Sequence, residues 1–285
     1  TTESAKIVRT LYEIEKASAL ASVDQPEKDT PNSFKVGFEL MQHQKQALAW
    51  MQDREANRTP FSGGILGDEM GLGKTAECLS VIVSDIEDQK QLSSRAGPTL
   101  IVCPTSVVDS WETELYSRFD PAFRPNFRTY LGDAKQMGAK QLQNLDIVIT
   151  TFGSLLPSGL QLRSYDTDYE ASKEVKRGHY PLFDVRWRRV VLDEAHYIRN
   201  HNSESARACR LLNAERRWAV TGTPIQNGVN DLLSLFMFLQ FRPFDTPPLF
   251  HAQFGGNQKR DEYTGQQVSV PVNHRKLHAV LTPVM

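Results

Sequence analysis

The stretch GGILGDEMGLGKT at residues 63–75 decides how this chain is read. An apolar run, GGIL, enters a glycine-rich turn that ends in Lys74 and Thr75 and continues into a helical pattern. That order builds a cradle for phosphate groups, because main-chain N–H groups of Gly71, Leu72, Gly73, Lys74 and Thr75 converge on anionic oxygens at the positive end of a helix. Gly71 and Gly73 let the main chain approach closely. Lys74 adds a mobile positive charge, and Thr75 adds a hydroxyl suited to a Mg²⁺ ion bridging nucleotide phosphates. The general phosphate-loop pattern has glycine six positions before the lysine, and here Asp68 stands there. A glycine turn that merely caps a helix is the plainer alternative; the strand before it and the helix after it favour nucleotide binding.

Outward from this stretch, helical and apolar strand patterns alternate. The spacing predicts helix 40–54, strand 63–67, helix 74–87, strand 99–103, helix 107–117, helix 134–143, strand 146–150, strand 188–192, helix 203–213, strand 217–221 and helix 229–240. Short apolar strands separated by helices imply an α/β domain whose mainly parallel sheet is covered by helices on both faces. Ligands of such sheets bind beyond the carboxyl ends of the strands. Residues 3–22 have an amphipathic pattern, with Ile7, Leu11 and Ile14 on one side, and the polar linker QPEKDTPNS follows. The expected organisation is an extension at 1–36, a lobe at 37–250 and a C-terminal segment at 251–285. Within the lobe, residues 153–187 form a long polar insertion, functional or a disordered surface excursion.

Composition sets the bounds. The 285 residues are 40% hydrophobic and 24% charged with a formal net charge of -1, so no bulk positive field recommends nucleic acid as a partner. Any contact with it must come from local geometry. Cys78, Cys103 and Cys209 are odd in number and widely separated, as expected for buried or spare thiols of a reducing compartment. No run reaches the length of a membrane span and the N-terminus has no apolar signal core, so a soluble intracellular protein with no membrane partner is expected.

Two further elements leave apolar strands. After Val190–Leu192 come Asp193, Glu194, Ala195 and His196. A carboxylate at that point suits Mg²⁺, which prefers hard oxygen ligands, and Glu194 next to it is placed to orient and deprotonate an attacking water. Two acids opening a helix are otherwise only favourable partners of its dipole. After the strand WAV comes TGTPIQN, residues 221–227, a turn rich in hydroxyl and amide groups.

With these three elements in this order, the chain resembles the superfamily 2 helicase-like ATPases, and GDEMGLGKT with TGTPIQN is similar to the Swi/Snf family among them. The resemblance covers nearly everything from Leu40 to Met285 and implies a RecA-like fold. It implies that Gln44 reads adenine and that Asp68, Glu69, Met70, Gly71, Leu72, Gly73, Lys74 and Thr75 hold ATP. It also implies that Thr75 and Asp193 hold Mg²⁺, and that Lys74, Asp193 and Glu194 are catalytic. His196, Thr221, Gly222, Thr223 and Gln226 resemble elements that couple nucleotide state to DNA. Double-stranded DNA, bound without sequence preference through its backbone, is the implied partner, with Pro104, Thr105, Ser106, Trp111, Thr150, Thr151 and Phe152 as candidate contacts; core packing is the alternative for Trp111 and Phe152.

The segment from Glu215 to Asp245 is similar to the branch containing helicase-like transcription factor, Lodestar-type termination factors and fungal post-replication repair ATPases. Work on chromatin, transcription or repair complexes is what the likeness implies, and nuclear residence follows only from the presumed DNA substrate, since no convincing basic localisation run is visible. Three scattered cysteines cannot supply the RING finger that some members carry. RWRR at 186–189 and ERR at 215–217 are expected as solvated strand ends, and His274 and His278 as surface residues. The sequence ends where the family continues into a second RecA-like lobe carrying arginine fingers. Loss of such a finger lowers turnover by about a thousandfold or more, so this chain alone is expected to bind ATP and hydrolyse it poorly. Two other readings stand beside the motor: a DEAH-type RNA helicase, and a nucleotide-gated interaction module whose partner surface is the insertion.

Overall fold

The computed structural model describes residues 26–56, 61–69, 71–91, 97–156, 161–162, 168–178, 180–225, 229–255, 258–260 and 267–269. The helix expected at 3–22, Met70, Gln226, His274 and His278 lie outside the described residues, as does most of 256–285.

The apolar runs form the strands of one sheet: β1 (Gly63–Leu66), β2 (Thr99–Cys103), β3 (Phe127–Thr129), β4 (Ile147–Thr151), β5 (Arg189–Asp193) and β6 (Arg217–Val220). Their spatial order is β1-β6-β5-β2-β4-β3, and every neighbouring pair is parallel. Successive strand residues point to opposite faces. Leu100 and Val102 of β2 join Val190 and Leu192 of β5 in one core. Ile101 and Val191 join the other. A sheet apolar on both faces must be covered on both. The helices α1 (Gln42–Ala56), α2 (Lys74–Gln91) and α3 (Val108–Arg118) close one side through Leu48, Met51, Leu79, Ile82, Trp111 and Leu115.

On the opposite face lie α4 (Ala139–Gln143), α5 (Phe152–Leu155), α6 (Asp168–Gly178), α7 (Pro181–Asp184), α8 (Glu204–Leu211), α9 (Asn230–Leu239) and α10 (Pro247–Phe254). The result is a three-layer, RecA-like α/β domain. Ser203 caps α8 with its hydroxyl on the N–H of Ala206 at 3.2 Å, satisfying one of the free donors of that helix start.

Three expectations need correction. Residues 134–143 are not one helix: a 3-10 turn at Gly132–Gln136 stops where Met137 and Gly138 go extended, and α4 starts after them. The insertion at 153–187 is not a surface excursion in its described parts. It contains α6 and α7, and Leu162, Ala171, Val175, Leu182, Phe183 and Val185 are buried in the main core, so hydrophobic burial ties it to the lobe. The arginines of RWRR and ERR are not all solvated. Arg189 and Arg217 are buried, while Arg188 and Arg216 are mostly so.

These arginines organise the amino-terminal edge of the sheet. Arg189 forms a two-pronged pair with Glu55, at 2.5 and 2.6 Å, and donates to Thr99 Oγ1 at 3.1 Å. Arg216 reaches Glu55 and Asp85 at 2.7 and 3.1 Å, and Arg188 holds Asp85 through two bonds of 3.0 Å. The indole N–H of Trp218 completes the coordination of Glu55 at 2.9 Å. Burial pushes the Asp85 carboxyl up, but the hydrogen bonds and charge of Arg188, Arg189 and Arg216 outweigh it and hold it at about 2.

Candidate functional site

The opposite edge of the sheet gathers the chemistry. β6 lies between β1 and β5, so the turns following all three strands sit side by side. They carry the glycine-rich loop, the Thr221 turn and the Asp193–Glu194 pair.

In the loop, Gly71 and Gly73 have φ of 90° and 88°, a region that favours glycine. A Cβ on Gly73 would stand 2.4 Å from Gln44 Nε2, so a side chain there would displace the Gln44 amide from its place against the loop. Gln44 is buried there. Its Oε1 accepts the N–H of Met41 at 3.0 Å, and its Nε2 donates to the Leu72 carbonyl at 3.1 Å. An amide has a second N–H and further lone pairs, so these bonds leave it capacity for a base. The sequence reading missed His43, whose Nε2 lies 3.0 Å from the same Leu72 carbonyl. The only signal for it was adjacency to Gln44.

Lys74 curls back over the loop and donates from Nζ to the carbonyls of Asp68 and Glu69 at 2.8 and 2.9 Å. Thr75, half-buried, occupies the first turn of α2. In the same turn, Glu77 is buried and neither carboxylate oxygen has a hydrogen-bond partner. Burial pushes its carboxyl up to about 8, the Asp68 charge adding to the rise and Lys74 opposing it. Nothing in the apolar periodicity foretold a buried acid under the loop.

Asp193 ends β5 with both oxygens oriented. Oδ2 accepts the indole N–H of Trp111 at 2.8 Å, and Oδ1 accepts the main-chain N–H of Glu194 at 2.9 Å. Burial raises its carboxyl above the usual range, against the lowering effect of the Trp111 hydrogen bond. Glu194 has φ 53° and ψ 52°. A left-handed conformation costs about 1–2 kcal/mol for a residue with a Cβ, and such strain gathers at functional sites. The turn aims the side chain back beside His196, whose Nδ1 is 3.0 Å from Glu194 Oε2. Thr221 is buried, its N–H donating to the Leu66 carbonyl of β1 at 3.1 Å and its hydroxyl accepting the N–H of Thr223 at 3.2 Å. Gly222 is half-buried and Thr223 exposed.

The candidate DNA contacts are mostly inside the protein. Trp111, Thr150, Thr151 and Phe152 are at most 5% exposed, and Pro104 is buried. The Thr150 hydroxyl donates to the Tyr130 carbonyl at 3.3 Å, the Thr151 hydroxyl caps α5 by accepting from Ser154 N–H at 3.1 Å, and the Phe152 ring stacks on Tyr197. Their side chains therefore present almost no surface, so a duplex contact at these five positions would fall to main-chain groups. Of the seven, Thr105 and Ser106 face solvent. Tyr197, half-exposed over Phe152, was not foreseen.

The donor set fits a magnesium nucleotide. The loop offers a lysine and main-chain N–H groups at a helix start, and glycines keep the cradle open. Asp193 and Thr75 offer hard oxygen ligands. Among the described residues no group of three or more His, Cys, Asp or Glu could hold a metal ion, so an ion here would complete its shell with phosphate oxygens and water.

A parallel sheet with a phosphate loop on one strand and paired acids on a nearby strand end defines a RecA-like nucleotide-binding domain. The SNF2-related domain family matches residues 43–285, and the chain belongs to that family. It is 37% identical over 217 residues to an uncharacterized ATP-dependent helicase of Schizosaccharomyces pombe, covering 75% of this chain and 20% of the relative. It is 36% identical over 251 residues to transcription termination factor 2 of Drosophila melanogaster, covering 76% and 21%. The SWI2/SNF2 ATPase core of Sulfolobus solfataricus, solved in complex with double-stranded DNA, superposes with a TM-score of 0.62 at 28% identity, covering 90% of this chain and 45% of that one. The chain thus spans about a fifth of the length of these two curated relatives.

Proposed function

We propose that this chain is the ATP-binding first motor lobe of a DNA-stimulated ATPase that moves along double-stranded DNA and remodels protein–DNA complexes in transcription, chromatin or repair. The observation that carries the reading is the side-by-side placement of the phosphate loop, the Thr221 turn and Asp193–Glu194 on three neighbouring strands. Support for DNA comes from the archaeal core solved with a duplex. Support for nuclear work comes from relatives named as a transcription termination factor and, in Arabidopsis thaliana, DNA repair protein RAD5A.

In this reading Lys74 leaves the Asp68 and Glu69 carbonyls for the terminal phosphates, and Thr75 and Asp193 hold Mg²⁺. When bound, Mg²⁺ supplies neutralisation of phosphate charge. Glu194 accepts the proton of the attacking water, and its left-handed backbone fixes the direction from which it does so. The Gln44 amide reads adenine from beside the loop. The Thr221 turn passes the state of the site to DNA, because it is bonded to β1 and flanked by β5. A second lobe would supply arginines, so this chain alone binds ATP and turns it over slowly. The insertion remains a candidate partner surface through its solvent-facing side chains, while Leu162, Ala171, Val175, Leu182, Phe183 and Val185 are committed to the core.

The test is phosphate release with and without duplex DNA, for this chain beside the full-length protein. Turnover by the full-length protein, stimulated by DNA rather than RNA, supports the motor. ATP binding without turnover in either form would transfer the reading to a nucleotide-gated interaction module.

A further inference from the structure

We infer that Trp111 is a positioning residue that sets the carboxylate of Asp193 for its metal, rather than a nucleic-acid contact. The inference deepens the ATPase reading and rests on it.

The geometry is specific. β2 and β5 are registered Val102 to Leu192, so α3 leaves the sheet beside the end of β5. Trp111 stands one turn into α3, 1% exposed, with its ring in the core under α2. An indole has a single donor and no acceptor, and when buried that donor needs a partner. The buried tryptophans find different ones. Trp187 donates to the Leu182 main-chain carbonyl at 2.8 Å, and Trp218 to the structural acid Glu55 at 2.9 Å. Trp111 alone among these three reaches the strand-end acid, at 2.8 Å from Oδ2.

With the Glu194 N–H on Oδ1, the two donors fix the carboxylate plane. A carboxylate oxygen accepts more than one bond, so each oxygen retains lone pairs for an ion. Without the indole donor the carboxylate gains freedom to rotate about χ2. The consequence falls on metal use, because outer partners of metal ligands fix ligand orientation, and their loss typically weakens metal affinity or activity about 10–100-fold.

The experiment uses the full-length protein with Trp111→Phe, which retains an aromatic ring and deletes the N–H. A second variant places benzothienylalanine at 111, where sulfur replaces the N–H in a bicycle of nearly the same shape. The expected result is a Mg²⁺ requirement for ATP turnover raised by about tenfold or more in both, with duplex affinity measured without nucleotide unchanged. An unchanged Mg²⁺ curve in a folded benzothienylalanine protein overturns the inference, as does a loss of duplex affinity with the Mg²⁺ curve intact. If the wild-type protein itself shows no Mg²⁺-dependent turnover, the ATPase reading falls and takes this inference with it.

Discussion

β5 and β6 each run between two edges of very different chemistry. At their amino-terminal ends, Arg188, Arg189 and Arg216 are matched against Glu55, Asp85 and Glu215, with each acid held by at least one guanidinium. At their carboxyl ends, Lys74 rests on main-chain carbonyls, Glu77 has no hydrogen-bond partner and Glu194 adopts a strained backbone. One edge matches its charges with opposite charges inside the protein; the other holds its lysine on main-chain carbonyls, buries an acid without a partner and strains its backbone. The same strands thus separate what stabilises the lobe from what works in it.

Substitutions should respect that division. Glu194→Gln, which keeps the shape and removes the base, is expected to lower ATP turnover of the full-length protein by about 10²–10⁴-fold. Nucleotide binding and the unfolding midpoint should stay near wild type; a comparable loss of stability would erase the distinction between the edges. Glu55→Gln strikes the other edge, leaving the buried Arg189 without its carboxylate, and is expected to cost about 3–5 kcal/mol in denaturant unfolding. Retained stability there would mean that Asp85 and Thr99 suffice for Arg189.

Two smaller effects sharpen the contrast. Glu77→Met replaces two unpartnered buried oxygens with an apolar group of similar length. It is expected to stabilise the protein by about 1–3 kcal/mol, measured as a raised denaturation midpoint at neutral pH. Asp85 gives the pH test. Its folded carboxyl is held at about 2, below the ordinary value of 3.8, so its contribution is present above about pH 4 and fades as pH falls toward 2. That contribution is about 2 kcal/mol, and Asp85→Asn should remove it from the acid-unfolding profile.

The sequence made the carboxyl edge legible because its signals are local: glycine spacing, a lysine–threonine pair, and acids at the end of an apolar run. Strands β1, β2, β4, β5 and β6 were legible for the same reason. β3 was not, since three partly exposed residues at a sheet edge carry no readable period. The amino-terminal edge was misread because Arg189 and Glu55 are 134 residues apart, and no local pattern separates a paired buried arginine from a solvated one. Trp111 illustrates the same limit. Its partner is 82 residues away, so the sequence offered an aromatic near a strand end without saying what its N–H would meet. The insertion deceived by composition: its polar residues dominate the pattern, yet Leu162, Ala171, Val175, Leu182, Phe183 and Val185 enter the core.

The left-handed turn at Glu194 also bears on how such a chain changes over generations. Glycine or asparagine would occupy that backbone with less strain, so selection for thermal endurance alone would let the glutamate drift away. On the role proposed for Glu194, a lineage that retains it would be one in which turnover has outweighed durability at this position, and its replacement in a duplicated copy would mark the passage from hydrolysis to passive binding.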